Sequence, residues 1–271
     1  MRIQDNIMAF NAYRNLSVSE NQLGKSLEKL SSGYRINRAA DDAAGLVISQ
    51  NLRAQISGLT VATRNAQDGV SVTQTADGAL GQVANMLQRM RDLAVQASNT
   101  GSTDANAAAA AQQEINALAA EITRVSQQTK FGSTALLDGG YVAVFQLGAN
   151  AGEYITVSLG TSLNASALGV SGLGVATVGS ASTAITAIDA AINTVSTTRA
   201  SLGAFQNRFE SAVISLQTTT ENLTASESRI RDTDMASEMA NYTKEQILQQ
   251  AGTAMLAQAN QTPQSILRLL Q

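Results

Sequence analysis

The sequence has no cysteine, histidine or tryptophan and a single proline, and aromatic side chains make up only 4% of its 271 residues. Without cysteine or histidine the chain has no disulfide, no thiolate nucleophile, no imidazole base and none of the usual zinc ligands. Most enzyme mechanisms are therefore excluded. We expect no enzyme activity, no metal and no cofactor.

The chain also lacks a strong charge of either sign. Its net charge of −3 comes from 18 basic and 21 acidic residues, and these are scattered along the sequence. Nucleic-acid binding requires clustered positive charge. We therefore expect no nucleic-acid partner.

Long apolar runs are missing as well. The first ten residues, MRIQDNIMAF, lack the apolar stretch of a secretory signal peptide, so export would need another route. No residue between Glu245 and Arg268 is charged, but the many glutamine and asparagine amides there would be unpaired in lipid. We expect this segment to be buried against other helices, without membrane insertion.

Heptad spacing is the strongest positive signal. Apolar residues recur every seven positions towards the carboxyl end, as along one seam of a long coiled-coil helix. This bundle seam consists of Ile188, Val195, Leu202, Phe209, Leu216, Leu223 and Ile230. A second seven-residue repeat consists of Leu52, Leu59, Ala66, Thr73, Leu80, Leu87 and Ala94. Its spacing does not change across four glycines, which predicts one continuous helix from about 43 to about 99.

Shorter elements follow. A helix is predicted over about 105–128, with Gly101 ending the preceding helix and Ser102 or Asp104 as the N-cap. The stretch YVAVFQLGANAGEYITVSLG predicts a β-hairpin with strands 142–147 and 154–159. Residues 160–181 combine Gly and Ser with small apolar residues, which favours a surface loop or short insertion.

The amino-terminal segment carries two apolar stripes. One includes Tyr13 and Leu16, and the other consists of Ile3, Ile7 and Phe10. A single helix cannot bury both stripes. We therefore expect this segment to become ordered only among several neighbours.

Two charged stretches, LSSGYRINRAADDAAGL and SRIRDTDMASE, lie where one helical pattern ends and another begins. Their aspartates could form carboxylate pairs for acid–base or metal chemistry, but helix capping is the favoured interpretation, and the neighbouring arginines indicate ion pairing. These joint residues are Arg35, Arg38, Asp41, Asp42, Arg229, Arg231, Asp232 and Asp234. We expect the two stretches to lie side by side, with Arg and Asp exchanged between them or with neighbouring subunits.

Two further patterns have simple structural interpretations. Ser26 with Lys25 or Lys29 could form a hydrolytic dyad, but adjacent helical residues point apart and no oxyanion hole is apparent. Met235, Met239 and Met255 have helical spacing, which is typical of adaptable packing contacts and gives no support to a metal or haem role.

The chain closely resembles bacterial flagellin, the family of flagellar filament subunits. The resemblance is carried over about residues 1–159 and 183–271 by long stretches, among them LEKLSSGYRINRAADDAAGLVIS, RNAQDGVSVTQTADGAL, QRMRDLAVQASNTG, FQLGANAGE, SRIRDTDMASE and ILQQAGTAMLAQAN. It implies a structural subunit that self-assembles into the extracellular filament for swimming motility. The alternatives are a hook–filament junction protein and a soluble secreted coiled-coil protein.

The resemblance implies a mainly α fold: a long antiparallel helical hairpin or coiled-coil bundle with a small β-hairpin, whose termini together form an inner helical layer. The expected segments are an inner-tube helix and spoke (1–42), the first part of the bundle (43–141), the hairpin and a short surface loop without outer domains (142–182), the second part of the bundle (183–231) and a second inner-tube helix (232–271).

The resemblance also implies partners. These are other copies of the chain, the flagellar type III export apparatus, a secretion chaperone and the filament cap. Recognition by a Toll-like receptor of a host is a hypothesis that rests on the stretch QRMRDLAVQ. The candidate contact residues are Arg89, Leu93, Gln96 and Glu114, on a stripe that we expect to lie away from the Leu80, Leu87 and Ala94 seam.

Overall fold

The computed structural model describes residues 6–99 and 104–269, with side chains up to position 262. Five helices and four short strands follow in the order α1 (Ile7–Ser32), α2 (Ala43–Ala97), α3 (Ala105–Gln128), β1 (Lys130–Phe131), β2 (Thr134–Ala135), β3 (Tyr141–Gln146), β4 (Tyr154–Leu159), α4 (Val178–Arg231) and α5 (Met235–Leu269). The mainly α fold with a small β-hairpin is as predicted. In the described ranges, no helix combines the length and apolarity needed to cross a membrane.

The chain divides into two compact units. The terminal unit comprises Met1–Ala54 and Glu221–Gln271, and the bundle unit comprises Gln55–Thr220. In the terminal unit α1 and α5 pack antiparallel along each other: Asn6 Nδ2 donates to the Ala259 carbonyl at 2.8 Å, while Lys29 lies 3.8 Å from Glu238.

The bundle unit pairs α2 with α4. Arg91 lies 2.7 Å from Asp189 and Arg199 lies 2.8 Å from Asp77, so the two helices run antiparallel. One core joins them to α3, the hairpin and the segment before α4. The helix that was predicted to continue through the glycines is unbroken from Ala43 to Ala97.

The bundle seam faces this core along most of its length. Ile188, Val195, Leu202 and Phe209 are almost completely buried, and Leu216 is buried. Leu223 and Ile230, which belong to the terminal unit, are half-buried. The heptad pattern therefore identified the buried face of α4 up to Leu216.

The β-hairpin forms where it was predicted, with β3 one residue earlier than expected. Its antiparallel register runs from Tyr141 opposite Leu159 to Gln146 opposite Tyr154. A smaller ribbon of β1 and β2 was not predicted; its strands are only two residues long and are joined through Gly132, which has a positive φ of 60°. Strands this short show no alternating pattern.

The segment before α4 combines exposed and buried residues. Residues 160–177 contain no helix or strand, and most of them are exposed, but Leu163, Val170 and Val175 are fully buried and anchor the segment to the core. The side chain of Gln112 fastens the segment to α3: its amide donates to the Leu173 carbonyl and accepts from the Val175 N–H, both at 2.7 Å.

The termini of α3 and α4 are set by local caps. Asp104 accepts a hydrogen bond from the Ala107 N–H at 2.7 Å and is the N-cap of α3. Gly101 and Ser102 lie outside the described residues. Thr177 and Ser180 bond each other's backbone N–H groups, so α4 starts at Val178, earlier than the predicted 183.

Gly69 is required because of a close approach between helices. A methyl group added there would lie 2.7 Å from the ring of Phe209, which is fully buried and packs edge-on against Phe145 with ring centroids 5.2 Å apart. Glycine lowers the stability of a helix interior, but here the Phe209 ring packs into the space that a side chain would fill.

This contact predicts opposite effects for two glycine substitutions in α2. Gly69→Ala should lower the free energy of unfolding of the bundle unit by about 1–3 kcal/mol, because the added methyl overpacks the core. Gly78→Ala meets no atom within 4 Å and should raise it by about 0.5–1 kcal/mol through helix propensity. Urea unfolding followed by circular dichroism measures both, and equal signs would contradict the packing.

Candidate assembly site

The two charged stretches meet in the terminal unit. Residues 33–42, between α1 and α2, and residues 232–234, between α4 and α5, form what we call the joint. Tyr34 and Asp232 form an antiparallel β-bridge, flanked by hydrogen bonds from the Arg35 N–H to the Arg231 carbonyl at 2.6 Å and from the Thr233 N–H to the Gly33 carbonyl at 3.0 Å. The two chain crossings therefore lie side by side.

Gly33 ends α1 as expected for a C-cap. Its φ of 75° is in the left-handed region, and its N–H donates to the Lys29 carbonyl at 2.8 Å. A residue with a side chain is strained in this conformation, whereas glycine adopts it readily. The chain therefore leaves the helix here and enters the joint.

The aspartates of the joint bind backbone N–H groups. Asp42 accepts from the Gly45 N–H at the start of α2, and Asp234 accepts from the Ala236 N–H at the start of α5, both at 2.9 Å. This is the geometry of helix N-caps. Within the part of the chain that the structure describes, no three acidic side chains are grouped to hold a metal ion.

Asp41 closes the turn that precedes α2. Its Oδ2 accepts from the N–H groups of Arg38 and Asn37 at 3.0 and 3.2 Å. The hydrogen bond from Arg38, and then that from Asn37, holds the pKa of Asp41 below its ordinary value. Because the folded-state pKa is lowered, the turn keeps this stabilisation at neutral pH and loses it only as the pH falls below about 4.

The arginines of the joint do not pair with these aspartates in the described residues of one chain, which corrects half of that expectation. Arg35 donates to the Ile230 carbonyl at 2.7 Å, Arg38 pairs with Glu28 at 2.8 Å, and Arg229 donates to Ser226 at 3.1 Å. Backbone N–H groups bind one oxygen each of the Asp41, Asp42 and Asp234 carboxylates, whereas the arginines find their partners on α1 and α4. Exchange with neighbouring subunits stays a prediction.

Four residues in or beside the joint were missed from the sequence: Tyr34, Ile36, Arg53 and Glu227. The guanidinium groups of Arg231 and Arg53 lie 4.4 and 5.8 Å from the centre of the Tyr34 ring, and Arg53 also pairs with Glu227 at 3.0 Å. Ile36 is buried to 2% exposure. Tyr34 and Ile36 could have been noticed as an aromatic and a branched apolar residue within a polar stretch. Arg53 and Glu227 are distant in sequence and gave no local signal.

The interface between α1 and α5 is unusually polar. Its buried polar residues are Ser26, Glu238 and Glu245, and with its amide oriented to donate, Gln22 reaches both carboxylate oxygens of Glu245 at 3.1 and 3.2 Å. Leu16, which packs against Gly252, and Ala259 are buried apolar residues of this pair. Apolar burial between the two helices is therefore small.

The apolar side chains of this pair mostly face solvent instead. We call the exposed set the terminal apolar surface; it consists of Ile7, Met8, Phe10, Tyr13, Val18 and Leu27 on α1 and Met235, Met239, Ile247, Leu248 and Met255 on α5. An open groove of about 410 Å³ between the helices is lined by Met8, Leu16, Leu248 and Met255. Tyr13 and Phe10, from the two predicted stripes, are both exposed; Ile3 lies outside the described residues.

The residues of the candidate receptor stripe are divided between the surface and the core. Arg89 and Glu114 are paired at 2.7 Å on the surface, and Gln96 is exposed. Leu93 is 4% exposed and belongs to the core. The stripe therefore faces the core at Leu93 although it differs from the Leu80, Leu87 and Ala94 seam, because α2 shares a core with both α3 and α4 and its buried face is wider than one seam.

Comparison with known proteins identifies the kind of chain that has this fold. The family model of the bacterial flagellin N-terminal helical region matches residues 3–141, and that of the bacterial flagellin C-terminal helical region matches residues 185–270. Together they cover most of the sequence, including the joint and the described part of the terminal apolar surface.

Similar proteins agree with this match. The chain is 50% identical to a flagellin of Halalkalibacterium halodurans, 47% identical to a flagellin of Bacillus subtilis and 43% identical to flagellin FlaB1 of Treponema pallidum, with 100% of each chain covered. A crystal structure of Bacillus cereus flagellin superposes with a TM-score of 0.51 at 29% identity, over 60% of this chain and 94% of that one. The chain belongs to the bacterial flagellin family.

Proposed function

We propose that this chain is a structural subunit that polymerises into the extracellular flagellar filament, and that its role in swimming motility is mechanical and not enzymatic. The observation that carries the proposal is the terminal apolar surface. Eleven large apolar side chains of α1 and α5 are 43–67% exposed. Large exposed apolar patches on a protein surface mark interaction sites.

The occupant of this surface is another copy of the same chain. Both helices expose apolar residues and bury polar ones. The exposed apolar surface of one copy can therefore be buried against the same surface of another copy. Burial of a large apolar side chain contributes about 1.5–3 kcal/mol. A subunit that packs α1 and α5 among the same helices of its neighbours would bury these exposed apolar side chains.

The polar interior of the α1–α5 pair supports coupled folding and assembly. The Lys29–Glu238 pair is 3.8 Å apart and its carboxylate is buried, so the cost of removing the charges from water offsets much of their attraction. The pair alone therefore lacks the apolar burial that stabilises long helices. Association with other copies supplies that stabilisation by mass action.

Polymer growth tests this function. Purified chain, seeded with sheared fragments of its own polymer, should form long tubes that sediment and are visible by negative-stain electron microscopy. Soluble oligomers of fixed size, or no growth at any concentration, would instead favour the soluble coiled-coil alternative. In a parallel reaction seeded with isolated hooks, short caps that add to the hook ends without elongating would favour the junction-protein alternative.

The joint provides a prediction with matched controls. Asp42→Lys removes the N-cap of α2 and Arg35→Glu removes the bond to the Ile230 carbonyl. Loss of a cap costs about 0.5–2 kcal/mol and loss of the Arg35 hydrogen bond about 1 kcal/mol, so both variants should polymerise less readily than the parent, with a critical concentration about tenfold higher for a loss of about 1.4 kcal/mol. Asp42→Asn and Arg35→Lys retain the capping acceptor and the donor, and they should polymerise faster than the charge reversals. Normal growth of both charge-reversed variants would show that the joint is not needed for assembly.

The finer partners form part of the same proposal. Export through the flagellar type III apparatus, a secretion chaperone and the filament cap suit a subunit whose terminal helices become stable only in the polymer. Toll-like receptor recognition rests on the exposed Arg89–Glu114 pair. A reporter-cell assay should respond to monomer and respond less to Arg89→Ala; no response to monomer would reject this contact.

A further inference from the structure

The methionines of the chain divide sharply between the two units. The terminal unit holds four described methionines, all 48–64% exposed: Met8, Met235, Met239 and Met255. In the bundle unit Met90 is fully buried and Met86 packs against the same core. Among the described residues, solvent-exposed thioethers are therefore confined to α1 and α5.

The exposed methionines are also grouped by geometry. Met8 and Met255 line the same groove between α1 and α5, beside Leu16 and Gly252. Met235 and Met239 are four residues apart on α5 and so share one helix face. All four belong to the terminal apolar surface.

We propose that these four methionines are oxidation sites through which peroxide controls assembly: the free subunit is oxidised to methionine sulfoxide and loses the ability to join the polymer. The inference rests on the proposed filament function, because it assigns the same surface to contacts between copies. It adds that methionine sulfoxide forms in the free subunit and not in the polymer.

The reaction needs only a peroxide. The thioether sulfur attacks one peroxide oxygen, the O–O bond breaks and an S–O bond forms. Sulfur loses two electrons, and hydrogen peroxide is reduced to water. The change is reversible, since sulfoxide reductases remove the oxygen with electrons from thiols, one enzyme for each sulfoxide epimer.

The sulfoxide should block assembly because of where it lies. Oxidation converts a flexible apolar side chain into a polar one with a strong hydrogen-bond acceptor. Burying a polar group that has no partner is costly, and about 1.4 kcal/mol corresponds to tenfold in an equilibrium constant. One buried sulfoxide per subunit should therefore weaken assembly about tenfold, and oxidation at several sites should weaken it further.

The first measurement maps oxidation by peptide mass spectrometry after hydrogen peroxide treatment. In folded monomer the four terminal methionines should be oxidised, while Met90 stays reduced. In preformed filaments the same four should oxidise at least about tenfold more slowly, since packing removes exposure. Equal oxidation in monomer and filament, or oxidation of Met90 at the same rate, would overturn the inference.

The second measurement follows seeded growth of the oxidised monomer. Growth should fall about tenfold or more and return after treatment with both sulfoxide reductases. A variant with the four methionines changed to Leu should grow equally well with and without peroxide, relative to its own untreated sample. Met90→Leu is the matched control and should remain sensitive.

The outcomes separate the two claims. If the oxidised chain grows normally while the untreated chain also grows, the inference fails and the filament function stands. If the untreated chain never polymerises, the proposed function fails and the inference falls with it. Loss of growth that neither reductase restores would assign the damage to another residue and contradict the inference.

Discussion

Phe10→Asp should abolish polymer growth while leaving the folded bundle unit unchanged. Phe10 is 67% exposed on α1, the largest value among the exposed large apolar side chains. If its ring is buried between copies, the substitution places an unpaired carboxylate in an apolar contact. That costs several kcal/mol in an interface, and even 1.4 kcal/mol raises the critical concentration about tenfold.

The matched control is Phe10→Leu, which keeps an apolar side chain at the same position. Its critical concentration should lie much closer to that of the parent than to that of Phe10→Asp. Sedimentation over a concentration series measures all three, and circular dichroism of the monomers checks that the fold persists. If Phe10→Asp polymerises like Phe10→Leu, the terminal apolar surface is not the contact between copies.

Phe209→Ala should cause the largest loss of stability in the bundle unit. The ring is fully buried, contacts Phe145 and fills the space at Gly69. Removing a buried aromatic side chain costs about 3–5 kcal/mol through lost burial and the cavity left behind. Urea unfolding of the monomer should show a lower midpoint with an unchanged slope.

Phe205→Ala is the control on the same helix. Phe205 is only half-buried at the margin of the core, so its removal should cost about 1 kcal/mol. A double variant adds a sharper test, because Gly69→Ala should no longer destabilise a chain that already carries Phe209→Ala. Equal losses for the two phenylalanines would contradict the packing around Phe209.

Much of the fold followed from periodicity. The repeat from Leu59 to Ala94 identified the buried face of α2 and showed that the helix continues through its glycines. Burial of Phe209 against Gly69 was not predictable, because heptad spacing locates a seam but does not say which residue of another helix fills it. The burial of Leu163, Val170 and Val175 was missed for a related reason: turn-rich composition predicts the lack of helix but not contacts with distant Gln112.

The joint was predictable in outline and not in detail. Its place between helical phases and the capping aspartates followed from local rules of helix termini. Pairing of Arg53 with Glu227, which are 174 positions apart, leaves no local pattern. The polar interior of the α1–α5 pair was hidden because a sequence shows which stripes are apolar but not which stripe faces the partner helix.

The central claim is that α1 and α5 become stably packed only when copies of the chain join. Hydrogen exchange measured by mass spectrometry on monomer and on filament tests it most directly. Residues 7–32 and 235–262 should exchange quickly in the monomer and slowly in the filament, while the core of the bundle unit around Leu202 is protected in both. Equal protection of the terminal helices in the two states would contradict the account.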